Sequence, residues 1–105
     1  MGEGKTTRRM PVVTREVHVE YEGVPLAFTV RRNAKVRTLD ALFKAGDVDA
    51  CAQALDGFVL SWDFPDEEGN PMDPPCYETL REVPHDLLRL MIEQGAATLT
   101  AETNP

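Results

Sequence analysis

The sequence predicts an α+β fold, in which an N-terminal β-hairpin packs on three to four short helices within a single domain. Three observations carry that prediction. The chain has 105 residues, enough for one hydrophobic core and no second. Hydrophobic side chains make up 42% and charged ones 28%, the balance of a globular protein. Apolar residues recur every second position before Val30 and every third or fourth after Val36.

Residues 1–10 are polar and lack hydrophobic periodicity, so they read as a flexible arm ahead of a domain over 11–95. From Glu16, the residues Val17, Val19 and Tyr21 alternate with polar neighbours, as in a strand with one buried face. Glu22-Gly23 supplies a tight turn, because glycine adopts positive φ without steric cost. Alternation resumes at Val24, Leu26, Phe28 and Val30. Pro25 has no N–H, so its strand starts at an edge or pairs first beyond that residue.

Helical spacing follows. Val36, Leu39, Leu42 and Phe43 share one face, and Gly46 stands at the helix end. Asp47 can cap a second helix with apolar positions Cys51, Leu55, Phe58 and Trp62. Gly57 inside that run costs about 1 kcal/mol relative to Ala. The run therefore reads as a helix through Trp62, with a strand over Phe58–Phe64 as the alternative. Pro65–Pro71 and Asp73-Pro74-Pro75 are loop, and Tyr77–Glu82 makes one or two helical turns. Pro84 opens a last helix with Leu87, Leu88, Met91 and Ile92 on its face. Gly95 ends it, leaving 96–105 as a flexible tail. Trp62 reads as a structural anchor, buried near Leu80, Leu87 or Leu88, with its indole N–H on a loop acceptor. An interface hot spot is the alternative role.

Charge and motifs exclude several functions. The net charge is −7, from 11 basic and 18 acidic side chains, which disfavours phosphate backbones and so nucleic acid. No apolar run approaches the roughly 20 residues of a membrane span, and MGEGKTTRRM lacks the apolar stretch of a secretory signal. Gly4-Lys5-Thr6 has neither the strand nor the earlier glycine of a phosphate-binding loop. With Gly69 at the sixth position of a calcium loop, Phe64 and Pro75 would fall on ligand positions, so the stretch reads as a solvated acidic turn, with a weak, irregular calcium site as the alternative. Cys51, Cys76, His18 and His85 lie in four separate segments without zinc spacing, and a Cys76–His85 pair lacks an orienting third group. The reading is therefore non-enzymatic, without metal or cofactor.

The stretch Leu60–Ile92 carries a Trp-Asp-hydrophobic element (Trp62, Asp63, Phe64) and an acidic turn with Asp66, Gly69 and Pro71. A Glu-x-Leu turn (Glu78, Leu80) and a helix begun by Pro84 with Leu87 and Leu88 follow. In this it resembles the tail assembly chaperones of long-tailed bacteriophages. Members often have Ser or Thr before the Glu-x-Leu turn, where this sequence has Cys76-Tyr77, so the cap of that turn is left open. The resemblance implies a non-enzymatic protein of the host cytoplasm that binds the tape measure protein and recruits tail tube subunits. Alternatives are a structural virion component of the tail or head–tail joint, and a small regulatory or inhibitory binding protein.

The charges also segregate. Residues 1–44 carry nine basic and five acidic side chains, whereas residues 45–105 carry Arg81 and Arg89 against thirteen acids. Arg31, Arg32, Lys35 and Arg37 form one cluster, and Asp66, Glu67 and Glu68 the other. Opposite patches on two ends of a protomer would support salt-sensitive self-association.

Overall fold

In a computed structural model describing residues 8–102, the period-two stretch forms strands β1 (Thr14–Tyr21) and β2 (Val24–Arg31). Glu22 and Gly23 turn the chain with φ of 49° and 81°, the two positive values that a two-residue hairpin requires. That turn fixes the register, with Tyr21 opposite Val24, Val19 opposite Leu26 and Val17 opposite Phe28. Val17, Leu26, Phe28 and Val30 are thereby buried on one face of the sheet.

Helices α1 (Val36–Lys44) and α2 (Val48–Leu55) come next, then strand β3 (Val59–Trp62). Asp47 caps α2 as expected, accepting a hydrogen bond from the Ala50 N–H at 2.7 Å. The reading of one helix from Asp47 through Trp62 is corrected. Helix α2 stops at Leu55, Gly57 takes φ of 87°, and the chain re-enters the sheet as β3. The left-handed conformation excludes helix continuation, and the Phe58 carbonyl accepts from the Arg31 N–H at 2.9 Å instead. Strand β3 pairs antiparallel to β2, which makes β2 the centre of a three-stranded sheet in the order β1-β2-β3. The register shifts beside Thr29, so Ser61 faces Thr29 while Val59 faces Val30, and Leu60 is left exposed.

Strand β3 is short, and Asp63 finishes its work with a side chain. The Ala27 N–H donates to Asp63 Oδ1 at 2.8 Å, and the Asp63 N–H donates to the Ala27 carbonyl at 3.1 Å. Two residues nearer the turn stands Pro25, which has no N–H to satisfy on that uncovered edge. A proline is thus accommodated in a central strand because its neighbour ends before reaching it.

Short helix α3 (Tyr77–Leu80) and long helix α4 (His85–Glu102) complete the chain. Cys76 and Thr79 form the capping box of α3, with the Cys76 N–H donating to Thr79 Oγ1 at 2.8 Å. The cap left open by the sequence is therefore Cys76 itself. Pro84 opens α4, its carbonyl accepting from the Leu88 N–H at 3.0 Å. Helix α4 runs through Gly95, which overturns Gly95 as a terminator and residues 96–102 as tail. The expected arm keeps no regular structure over residues 8–10; its remainder, 1–7, and the tail residues 103–105 lie outside the described residues.

The helices cover the buried face of the sheet in a single layer. Helix α4 packs on β1, α1 and α2, while α2 also meets α1 and α3. Phe28, Phe58, Phe64, Leu55, Leu80, Leu88 and Met91 fill the middle. Helix α1 presents only part of its predicted face to that core. Leu42 is buried, but Val36 is 82% and Phe43 64% exposed, because a helix of this length meets the core along one narrow stripe.

Candidate functional site

Residues 64–72 fold into a closed acidic loop. The Met72 N–H donates to the Phe64 carbonyl at 2.9 Å, and Pro65 bridges to Pro71. Asp66 organises the tip. Its Oδ1 accepts from the Glu68 and Asn70 N–H groups, both at 2.9 Å, and its own N–H donates to the Asn70 carbonyl at 2.7 Å. Gly69 supplies the positive φ, 89°, that lets the chain turn there. Asp66 is thus committed to the loop's backbone, whereas Glu67 and Glu68 are exposed at its tip.

Two aromatic rings hold this loop to the sheet. Phe64 is buried, with its ring edge-on to Phe28 at a centroid distance of 6.2 Å. Trp62 stacks on Phe64 at 4.7 Å, and its indole N–H donates to the Asp73 carbonyl at 2.9 Å. The expected loop acceptor is present, but the packing differs from the sequence reading. Trp62 is half-buried against Phe64, and Phe64 takes the core position. Extended backbone puts residues two apart on one face, so Trp62 meets Phe64, which a helix would have turned to the opposite side.

Between the hairpin turn, the acidic loop and the start of α4 lies a groove of about 450 Å³. Leu26, Phe64, Val83 and Leu87 give it an apolar floor; Glu67, Glu68 and Glu82 give it an acidic rim. At its hairpin end the Tyr21 hydroxyl donates to Asp86 Oδ1 at 2.8 Å. That bond holds the Asp86 carboxyl below its usual range and pushes the Tyr21 phenol up. The groove can take an extended polypeptide carrying apolar side chains beside cations.

The basic cluster stands elsewhere. Arg31 and Arg32 end β2, and Lys35 and Arg37 start α1, at the open end of the hairpin. Arg31 and Arg32 are half-buried, and Arg31 Nε donates to Asn33 Oδ1 at 3.3 Å; Lys35 and Arg37 are exposed. The fold therefore separates this cluster from Asp66, Glu67 and Glu68 by the length of the hairpin. It brings Leu87 to the groove but leaves Leu80 and Leu88 in the core. Sequence reasoning missed Tyr21, Glu82 and Asp86. No local spacing signalled them, because Tyr21, Glu82 and Asp86 stand on the hairpin, on the turn before Pro84 and on α4, which only tertiary packing brings together.

Among the described residues no three His, Cys, Asp or Glu side chains are grouped to hold a metal, and no helix is long and apolar enough to cross a membrane. Comparison with family models, curated proteins and solved structures found no match.

Proposed function

We propose that this chain is a tail assembly chaperone of the long-tailed phage kind, a non-enzymatic protein of the host cytoplasm. In this reading it binds the tape measure protein and recruits tail tube subunits. One observation carries the proposal. Four positions that carry the resemblance, Phe64 and Asp66 from the acidic loop and Pro84 and Leu87 from the start of α4, come together beside the hairpin to line the groove. An apolar floor beneath carboxylates suits a protein ligand with apolar and cationic side chains.

Co-expression with the tape measure protein of the same phage tests it. The tape measure protein should become soluble and co-purify with this chain, and this chain should be missing from purified virions. Its presence in finished virions would overturn the proposal in favour of a structural component. An insoluble tape measure protein despite co-expression would overturn it altogether.

A further inference from the structure

We propose that the groove receives the segment Arg8–Val12 of a second copy of this chain, making a head-to-tail contact between protomers. The inference rests on the groove being a protein-binding site and is independent of the phage assignment.

The chemistry of the two surfaces matches. The groove offers apolar Leu26, Val83 and Leu87 beneath the carboxylates of Glu67, Glu68 and Glu82. The segment Arg8-Arg9-Met10-Pro11-Val12 offers two guanidinium groups followed by two apolar side chains. Met10 is 79% exposed and Val12 57% exposed, so both apolar groups are spread into solvent beside a strand that buries its own. Pro11 fixes its own φ and biases Met10 to extended backbone, which lowers the entropy lost on docking.

Geometry forbids the same contact within one copy. Asn33 ties the segment to the open end of the hairpin, its Nδ2 donating to the Pro11 carbonyl at 2.9 Å and its Oδ1 accepting from the Val13 N–H at 2.9 Å. The Arg32 N–H donates to the Val13 carbonyl at 2.7 Å. The groove lies at the other end, beside Tyr21 and Val24. Seven strand steps separate Thr14 from Tyr21, about 23 Å, and the segment leads away from them. Only another protomer's groove is within reach. A contact between different surfaces is heterologous, so it propagates from copy to copy unless the rotation closes a ring. The segregated charges along the chain would then serve register between copies, with marked salt sensitivity.

Sedimentation of the full-length chain at low and high salt tests this. The wild type should form concentration-dependent oligomers at low salt, with affinity falling about tenfold or more at high salt. Arg8→Glu/Arg9→Glu and Glu67→Lys/Glu68→Lys should each sediment as monomers. Mixed together they should associate again, because each then meets a groove or segment of opposite sign. Asp66 is left untouched because its carboxylate holds the loop. Met10→Ser should weaken association while leaving its salt dependence intact. All variants alter exposed side chains, and an unchanged melting temperature confirms folding. A wild type that is monomeric at every salt concentration overturns the inference. So does an oligomer indifferent to Arg8 and Arg9 but broken by Lys35→Glu/Arg37→Glu. The chaperone reading is separable: a wild type that is monomeric at every salt concentration yet still solubilises the tape measure protein preserves it while the head-to-tail contact fails.

Discussion

Trp62 shows how one residue can be read correctly in its polar contact and wrongly in its apolar one. Its indole needs an acceptor, and loop carbonyls are the nearest supply after a Trp-Asp-Phe-Pro sequence, so the bond to Asp73 was legible. Its packing partner depended on whether the backbone there was helix or strand. As helix, Phe58 and Trp62 would share a face. With the helix ended at Leu55, Phe58 and Phe64, on either side of β3, enter the core, and Trp62 lies over the Phe64 ring. The energetic consequence is a smaller cost than for a fully buried tryptophan. Trp62→Ala should destabilise by about 2 kcal/mol, below the 3–5 kcal/mol of a core truncation, because part of the ring already faces water. Trp62→Phe, which keeps the stack and loses only the bond to Asp73, should recover most of it. Urea midpoints of the two variants decide the matter. A loss above about 4 kcal/mol for the alanine variant would mean that Trp62 holds the core itself.

Gly57 and Gly95 present the same signal in sequence, a glycine inside a helical apolar pattern, yet one breaks its helix and the other does not. At Gly57 the backbone decides, since φ is 87° and an added Cβ would meet nothing within 4 Å. At Gly95 packing decides, since an added Cβ would lie 2.8 Å from Cε2 of Phe58. The two are linked. Breaking α2 at Gly57 sends Phe58 into the core, where its ring needs the space that Gly95 leaves on α4. No local pattern could distinguish them, because the partner of Gly95 is set by a chain reversal almost forty residues earlier. Gly95→Ala should therefore destabilise by about 1–3 kcal/mol, although alanine is the better helix former. Adding Phe58→Leu, which withdraws the ring edge, should reverse part of that loss. Thermal melts of the single and double variants check this. A Gly95→Ala variant more stable than wild type would show that helix propensity, not the Phe58 contact, governs the site.

On the scale of the whole molecule, the α+β class and the hairpin register followed from local chemistry, from the period change and from Glu22-Gly23. The groove did not, because its walls come from segments that only tertiary packing brings together. The Tyr21–Asp86 bond, spanning 65 residues, marks that meeting of hairpin and α4. It also makes the union of the two layers sensitive to pH. The Tyr21 hydroxyl holds Asp86 below its ordinary 3.8, so the stability from that carboxylate is present above that value and is lost as pH falls through the folded pKa. The bond to Asp86 holds Tyr21 above its ordinary 10.0, so its contribution is complete below that value and is lost as pH rises through the folded pKa. Between the two limits the hydroxyl donates to an ionised carboxylate, the stronger kind of hydrogen bond. Tyr21→Phe keeps the ring against the core and removes only the donor. Its urea midpoint should therefore fall below wild type by a constant amount through the neutral range. The gap should narrow on the acid side as Asp86 gains its proton, and on the alkaline side as the wild-type phenol loses its own. A gap that persists unchanged into acid would assign the effect of Tyr21 to packing and remove the hydrogen bond as the tie between hairpin and helix.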